Sequence, residues 1–439
     1  MLESRPAVES SSEYVRGRPT MHTLRPRAPS SLEETGLDIG ILGPLTLKNL
    51  YSSSHSSESA IAERLGLTLS VTAEILKFLM RENLCEVTGG QSQTIGGSRY
   101  TLTSKGLERA RTALSTSGYV GQAPVPLAEY VAQVRQQSVF NVSFERQAIE
   151  VALSHLVLPP ETQDLIGQAV SSKRSTLMYG ASGNGKTSAA LSLKKAVPGQ
   201  IIIPHAVEFM REVIQLFDSS AHEIIAEENR RSNEHGAALD QRWVVIKRPV
   251  VLVAGELLAS QLELMLDEVH KTYDAPVQMK ANGGLFIIDD FGRQPLDAAY
   301  LLNRWVTPLE RQIDYLSIHS GARLEVPFDV IPLFVSNRPP GELADEAFLR
   351  RIRYKVEIPS PDRERFTEIL RRECDRYGVA FDDIAADYLL NRFYSDGSRP
   401  MRGCHPRDLV EIIADAASYQ GDDKALTEAT IDRAGTRYF

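Results

Sequence analysis

The sequence has little cysteine and no long apolar run. Its three cysteines, Cys85, Cys374 and Cys404, are far apart and form no CxxC pair, so neither a disulfide scaffold nor a zinc site is expected. No stretch of about eighteen apolar residues predicts a transmembrane helix. The first twenty residues also lack the apolar core of a secretory signal. These absences favour a cytoplasmic protein.

An excess of basic charge is absent as well. Lysine and arginine total 49 against 57 aspartate and glutamate residues, a formal net charge of −8. No general positive field therefore draws the chain to nucleic acid or to anionic lipid, and membrane insertion is not expected. The hydrophobic share of 42% is that of a soluble globular protein, and 439 residues predict two or three domains.

The composition divides the chain into five segments. Residues 1–31 are rich in Ser, Pro and Arg and predict a disordered tail. Residues 32–117 contain a helix, a helix–turn–helix and two strands around a glycine-rich turn, the order of an α+β winged helix. Residues 118–150 predict a linker and helical strap. Residues 151–360 predict an α/β core, and residues 361–439 are mostly helical.

The predicted winged helix has a poor electrostatic footprint for DNA. Residues 33–111 contain nine acidic and eight basic residues, and the second helix of the helix–turn–helix offers only Lys77 and Arg81 beside two glutamates. Because phosphate neutralisation provides most non-specific affinity for DNA, this balance favours a protein-binding role. A DNA-binding regulator or loader that uses ATP as a switch remains the alternative.

A glycine-rich loop between an apolar strand and a helix is the most informative segment. The strand is predicted over residues 176–179, and the helix continues from Ser188. The eight residues from Gly180 match G-x-x-x-x-G-K-[ST]. They are Gly180, Ala181, Ser182, Gly183, Asn184, Gly185, Lys186 and Thr187. Glycines allow successive N–H groups to converge on phosphate, so we expect ATP here, with Lys186 on the β/γ-phosphates and Thr187 on Mg²⁺.

Acidic and polar residues follow two further apolar strands. Leu285–Ile288 leads into Asp289 and Asp290, which we expect to hold Mg²⁺ and to orient the attacking water, respectively. Residues 330–335 form another apolar run, which ends close to Asn337. An amide at the carboxyl end of a parallel strand lies where ligands bind and can donate a hydrogen bond to the γ-phosphate or the water.

Arginines complete the candidate set. A helix is predicted to end at Arg350 and Arg351, and Arg353 begins the next strand. A guanidinium that reaches the γ-phosphate of a neighbouring subunit stabilises transition-state charge, although the sequence does not distinguish among these three. Arg407 is predicted to project from the first turn of a C-terminal amphipathic helix.

In this order, the motifs resemble those of the AAA+ ATPases over residues 150–439. GASGNGKT matches Walker A, and LFIIDD matches Walker B. The resemblance implies that Asn337 is sensor 1 and that Arg407 is sensor 2. It places Arg350 and Arg351 at the arginine-finger position, with Arg353 as an alternative.

The family resemblance carries further expectations. It implies an αβα sandwich with a helical lid, a homo-oligomeric ring (commonly a hexamer), ATP with Mg²⁺, and an adenine contact at Ile166 and Gly167. A hairpin over residues 316–326 is similar to a pre-sensor-1 insertion. Tyr273 and Met279 are candidate pore-facing side chains. Walker B usually ends in Asp-Glu, and the Asp-Asp ending here puts the rate of hydrolysis in doubt, although not nucleotide binding.

Together these patterns predict an ATPase that remodels or assembles a protein partner recruited through the winged helix. A P-loop small-molecule kinase is disfavoured, because it has no use for the sensor, arginine-finger and lid residues.

Overall fold

The computed structural model describes residues 25–53, 56–88, 98–226, 239–295, 298–343, 346–395, 397 and 399–439. In chain order, the strands are β1 Ser56–Ser57, β2 Cys85–Val87, β3 Arg99–Leu102, β4 Val125–Pro126, β5 Thr176–Tyr179, β6 Gln200–Pro204, β7 Ala206–Phe209, β8 Glu212–Gln215, β9 Trp243–Lys247, β10 Val250–Val253, β11 Met265–Asp267, β12 Thr272–Asp274, β13 Gly284–Ile288, β14 Ile313–Ser317, β15 Arg323–Pro327, β16 Val330–Ser336 and β17 Tyr354–Glu357.

The helices are α1 Ile39–Ser52, α2 Glu58–Leu65, α3 Leu69–Arg81, α4 Ser104–Thr116, α5 Leu127–Gln136, α6 Arg146–Leu153, α7 Pro160–Ser171, α8 Lys186–Ser192, α9 Val277–Lys280, α10 Ala298–Arg304, α11 Val306–Arg311, α12 Pro340–Leu343, α13 Glu346–Leu349, α14 Arg363–Tyr377, α15 Asp383–Tyr394, α16 Cys404–Gln420 and α17 Glu428–Tyr438. None of the helices in the described residues is both long and apolar enough to span a bilayer.

The N-terminal unit consists of α1–α4 and an antiparallel sheet of order β1-β3-β2. The hydroxyls of Ser57, Thr68 and Thr103 accept hydrogen bonds from the backbone N–H groups three residues further on, which caps α2, α3 and α4. The helices and strands therefore occur in the order predicted for residues 32–117. The turn between β2 and β3 lies outside the described residues.

Residues 25–31 pack on this unit, although the sequence predicts them as the end of a disordered tail. Thr68 Oγ1 donates to the Pro29 carbonyl at 2.8 Å, and the Asp240 amide donates to a backbone carbonyl of the segment at 3.2 Å. These backbone acceptors are paired, so residues 25–31 are held by the rest of the chain and are not part of a disordered tail. The tail prediction for residues 1–24 lies outside the described part of the chain.

A buried arginine joins the N-terminal unit to the rest of the chain. The side chains of Arg242 and Asp240 are only 2% and 1% exposed, and Arg242 Nη2 lies 2.8 Å from Asp240 Oδ2. Arg242 Nη1 also donates to the Thr35 carbonyl at 2.9 Å. The Asp240 carboxylate compensates the buried charge of Arg242, and the hydrogen bond from Arg242 to Thr35 links the two regions.

The central sheet is parallel and has the order β10-β13-β16-β5-β17. Its strands are nearly continuous apolar runs, as expected for a sheet that is covered on both faces. Helices α6, α7 and α8 pack on one face, and α10 and Trp305 pack on the other, with the Trp305 and Phe286 rings 5.4 Å apart. The predicted α/β core is therefore confirmed as three layers.

A β-rich unit is inserted on both sides of β10, mostly between α8 and β13, and the sequence did not predict it. It contains the β6–β9 ladder and the five-stranded sheet β11-β12-β8-β7-β4, and it shares one core with the β14–β15 hairpin. The segment predicted as a linker and strap is part of this unit, since β4 pairs with β7 and α5 packs against its core.

Tyr273 and Met279 belong to the core of this unit. They are 3% and 2% exposed, and the Tyr273 hydroxyl accepts a hydrogen bond from the His319 amide at 2.8 Å. The suggestion that these two side chains face a pore is therefore wrong, because each is buried against apolar neighbours.

The C-terminal region contains helices α14–α17 around one apolar core. Phe366, Leu370 and Leu389 are fully buried there. Asp362 and Asp382 accept from backbone N–H groups at the starts of α14 and α15, as N-caps do. The helical prediction for residues 361–439 thus matches the observed elements.

Candidate nucleotide site

A glycine-rich loop between β5 and α8 forms the floor of the candidate site. Gly180, Gly183 and Gly185 have φ values of +144°, +83° and +83°, which residues with a side chain rarely adopt. A Cβ added to Gly180 would lie 2.4 Å from the Ile358 carbonyl oxygen. The chain can follow this path only without a side chain, and such a path forms a concave site for an anion.

Lys186 is the first residue of α8, and its side chain folds back onto the loop that precedes the helix. It is 8% exposed, and Nζ donates to the Ala181 carbonyl at 2.9 Å. Ser182 is exposed on the loop, and Thr187 and Ser188 occupy the next two helical positions. The lysine ammonium and the start of the helix therefore share one small region, which is the arrangement that phosphate recognition requires.

Several charges act on the Lys186 ammonium. Burial lowers the pKa of Lys186 below its ordinary value, and the carboxylates of Asp289 and Asp290 oppose that change. The guanidinium groups of Arg402 and Arg293 act in the same direction as burial. Cations and carboxylates thus surround one position, which suits a polyanion bound together with a divalent cation.

The two carboxylates follow β13 at the same edge of the sheet. Asp290 has a φ of +50°, and its amide donates to Asp289 Oδ1 at 2.9 Å. Gln294 Nε2 donates to the Asp289 carbonyl at 2.9 Å and holds the turn. Because β16 lies between β13 and β5, about 10 Å separates the acidic turn from the glycine-rich loop at two strand spacings.

Asn337 follows β16 in the middle of that gap. We assign the Asn337 amide with its oxygen facing Arg293, because the opposite assignment would set two donor groups against each other. In this orientation Asn337 Oδ1 accepts from Arg293 Nη2 at 2.6 Å and from Nε at 3.0 Å. Arg293 is not among the residues predicted from the sequence. It could have been identified there, because an arginine three residues after a pair of carboxylates remains at the same end of the strand.

Asn184 connects the loop to the C-terminal region. It is 7% exposed, its Nδ2 donates to Ser360 Oγ at 3.1 Å, and its Oδ1 accepts from the Gly403 amide at 3.3 Å. Cys404 lies against the loop as well, since a Cβ on Gly183 would come within 2.4 Å of its Sγ. The start of α16 therefore covers the loop.

Arg402 and Arg407, at the start of the C-terminal helix α16, differ in their partners. Arg407 Nη2 lies 2.8 Å from Asp408 Oδ1, and the Arg407 side chain is 51% exposed. The carboxylate of Asp408 raises the pKa of Arg407. Arg402 Nη1 instead approaches Ser360 Oγ at 3.4 Å, and its charge acts on Lys186. The sensor 2 role of Arg407 stays a prediction, and Arg402 is an additional candidate that the sequence analysis missed.

Ile166 and Gly167 lie on α7. The Ile166 side chain is fully buried in the core beneath the sheet, and a Cβ on Gly167 would contact Ile149 Cγ2 at 3.8 Å. The adenine contact expected of Ile166 is thus not available to its side chain, because the apolar face of α7 packs inward.

The three candidate arginine-finger residues lie at the opposite edge of the sheet. Ser175, immediately before β5, donates through Oγ to the Arg351 carbonyl at 2.5 Å, and Arg351 Nε forms an ion pair with Glu310 at 2.9 Å. A cavity of about 280 Å³ opens here. Its basic lining residues are Lys173, Arg174, Arg350, Arg351 and Arg353. Four residues of β5, about 13 Å of extended chain, separate this groove from the loop.

The donors at the loop fit a magnesium–nucleotide complex. No cluster of three or more His, Cys, Asp or Glu residues in the described ranges could hold a metal by itself. Mg²⁺ is typically bound through one or two carboxylates together with substrate phosphates and water. The Thr187 hydroxyl and the Asp289 carboxylate provide oxygen ligands of that kind beside the glycine cradle.

Comparison with known proteins gives limited information. A family model described as a domain of unknown function, DUF8689, matches residues 362–436, which are the C-terminal helices. It covers less than half of the chain and therefore assigns no family to the whole. No curated protein matches the chain.

Solved structures resemble the chain only loosely. NtrX from Brucella abortus, crystallised in complex with ATP, is 14% identical with a TM-score of 0.40, and the match covers 74% of this chain and 60% of NtrX. The RuvB Holliday junction branch migration motor from Thermotoga maritima is 13% identical with a TM-score of 0.36, over 64% and 70% of the two chains. The chain thus spans less than two thirds of NtrX, and likeness at this level carries no argument about function.

Proposed function

We propose that this chain is an ATPase of the AAA+ type, which binds ATP with Mg²⁺ at the carboxyl edge of the central sheet and hydrolyses it. One observation supports this most strongly. The glycine-rich loop, the acidic turn after β13 and the amide after β16 follow three adjacent strands of one parallel sheet. Crevices at this end of parallel strands are where ligands bind in α/β proteins.

Each residue has a distinct task in this proposal. The loop amides and Lys186 bind the phosphates, and Thr187 and Asp289 hold the metal ion. Bound Mg²⁺ supplies positive charge at the phosphate oxygens. Asp290 accepts a hydrogen bond from the attacking water and takes its proton. The shorter Asp290 side chain, where the family usually has Glu, predicts a slower chemical step than a Glu would give.

The active unit in this proposal is a ring, for which we favour a hexamer. The groove that contains Arg351 lies about 13 Å from the loop of the same protomer, across the length of β5. Its arginines would therefore serve the site of an adjoining protomer. A guanidinium supplied in this way is worth about 10³–10⁵ in rate.

The N-terminal unit would recruit a protein partner, which the ATPase remodels or assembles. Its helix and strand order is that of a winged helix, and residues 33–111 carry no net basic charge. Phe78 on α3 is 38% exposed and offers an apolar contact beside charged residues. We place this activity in the cytoplasm.

The test replaces Asp290 by Asn. The amide cannot take a proton from water, so we expect turnover to fall by about 10²–10⁴, with little change in ATP affinity. Affinity is measured by titration with a fluorescent ATP analogue, and turnover is measured by phosphate release. Asp415→Asn, at an exposed position of α16, is the matched control and should leave both values unchanged.

Two outcomes would contradict the proposal. Turnover of Asp290→Asn at the parental rate would remove Asp290 as the base. A wild-type chain that binds no nucleotide in the presence of Mg²⁺ would remove the ATPase assignment altogether.

The same variant can identify the partner. If Asp290→Asn retains ATP, a pull-down from cell extract with this variant should retain bound partners. Their identity would show which class of protein or nucleic acid is recruited.

A further inference from the structure

Arg293 lies in a turn that is anchored at the carboxyl edge of the sheet. Its amide donates to the Asp290 carbonyl at 2.9 Å. The amide of Phe291, two residues earlier, donates to the Val335 carbonyl at 2.7 Å, and the Phe291 ring packs on Phe334 with centroids 4.9 Å apart. Phe291 is 1% exposed, so the backbone that leads to Arg293 is held against β16.

The guanidinium of Arg293 has a neutral partner. Asn337 Oδ1 accepts from both Nη2 and Nε, at 2.6 and 3.0 Å. Within the described part of the chain, no carboxylate forms an ion pair with Arg293. Two hydrogen bonds to one neutral amide oxygen orient the guanidinium without neutralising its charge, whereas Arg351 has Glu310 as an ionic partner.

Arg293 is one of the charged residues around Lys186. Its charge, together with that of Arg402, acts on the Lys186 ammonium from within the same protomer. Arg293, Asn337 and the glycine-rich loop follow β13, β16 and β5, respectively, and these three strands are adjacent in the sheet. An uncompensated, oriented cation at this edge is suited to a phosphate oxygen.

We infer that Arg293 binds the terminal phosphate of the nucleotide in its own protomer, and that Asn337 is the positioning residue that orients the guanidinium. The inference rests on the proposed function and adds to it. It assigns Asn337 a role through Arg293, and it gives the protomer a second phosphate-binding cation besides Lys186. Arg293 then distinguishes ATP from ADP, because only ATP has a terminal phosphate at that position.

The experiment compares ATP and ADP affinities by titration with fluorescent analogues in Mg²⁺. Arg293→Ala should bind ATP about 10- to 100-fold more weakly, the loss expected for a hydrogen bond to a charged group, and should bind ADP as the wild type does. Asn337→Ala should reduce ATP affinity less. The double variant should be no weaker than Arg293→Ala, because Asn337 acts through Arg293.

Controls separate this role from a structural one. Arg338→Ala, an exposed arginine next to Asn337, should leave both affinities unchanged. Arg293→Lys should recover part of the ATP preference, since it restores the charge without the planar fork. Arg293→Gln provides a second truncation should the Ala variant prove unstable, and circular dichroism checks that each variant is folded.

The outcomes are distinguishable. An Arg293→Ala protein that keeps the wild-type preference for ATP over ADP would overturn the inference while leaving the ATPase proposal intact. An equal loss of ATP and ADP would also overturn it, since that pattern indicates a damaged loop. If the wild type bound neither nucleotide, the proposed function and this inference would be rejected together.

Discussion

The two edges of the central sheet are built differently, although both are rich in charge. At the carboxyl edge the backbone forms the concave surface, since Gly180, Gly183, Gly185 and Asp290 all have positive φ. At the amino edge side chains form it, since basic residues before β5 and β17 line an open groove. The first edge presents N–H groups and a buried lysine, whereas the second presents guanidinium groups.

This difference indicates which groups can cooperate within one protomer. Lys186, Asp289 and Arg293 share the carboxyl edge and can act on one ligand. Arg351 cannot join them, because about 13 Å of β5 lies between. A site that needs both sets is complete only when the amino edge of one protomer meets the carboxyl edge of another.

The largest expected effect comes from the amino edge. Arg351→Ala should lower turnover by about 10³ or more, without weakening ATP binding, because a cation supplied to a neighbour stabilises the transition state rather than the bound nucleotide. Phosphate release and nucleotide titration measure the two quantities. Arg371→Ala, which removes an exposed ion pair on α14, is the control and should have little effect.

Mixed assemblies extend that test. An Arg351→Ala protomer keeps Asp290, and an Asp290→Asn protomer keeps Arg351, so a mixture should recover turnover that neither variant has alone. If no mixing ratio exceeds the sum of the two variants, the two edges do not meet across an interface.

A smaller effect is expected from a single methyl group at the carboxyl edge. Gly183→Ala combines a φ of +83° with a Cβ 2.4 Å from Cys404 Sγ, so Cys404 must rotate or α16 must shift away from the loop. We expect ATP affinity to fall on the order of 10-fold, which is the effect of about 1.4 kcal/mol. Fluorescent-nucleotide titration measures it.

Gly378→Ala is the matched control for this substitution. Gly378 ends α14 with a φ of +66° and has no atom within 4 Å of the added methyl group. The variant should lose about 1 kcal/mol of unfolding free energy in chemical denaturation and none of its ATP affinity. Equal losses of ATP affinity in the two variants would mean that the strain of a side chain at positive φ, rather than the contact with Cys404, lowers the affinity.

Local patterns were sufficient to predict the carboxyl edge. The strand, loop and helix around Lys186 and the apolar run before Asp289 are contiguous in sequence, and their chemistry depends on neighbours only a few residues away. The placement of Asn337 at this edge required only that its strand belong to the same parallel sheet, whereas its position between the two loops depended on the strand order. The order of elements in the N-terminal unit likewise followed from helical periodicity and capping residues.

The inserted β unit could not be predicted in this way. Its strands are two to five residues long, and β4 pairs with β7 across about eighty residues of chain. The burial of Tyr273 and the approach of Arg402 to Ser360 likewise depend on contacts between residues that are far apart in the sequence. Arg293 is a different case, because its position was readable from the turn after Asp290, whereas its pairing with Asn337 depended on the order of strands in the sheet.

The most direct test of the central claim is a Mg²⁺-ATP titration that follows the thermal unfolding midpoint of the wild type, Lys186→Ala and Lys195→Ala. Lys195 is exposed and lies just after the helix that Lys186 begins, so it controls for loss of a lysine. At 100-fold excess over the dissociation constant, ligand binding contributes about 2.7 kcal/mol to the unfolding free energy. We predict that ATP raises the midpoint of the wild type and of Lys195→Ala and leaves Lys186→Ala unchanged. An equal rise in Lys186→Ala would contradict the account.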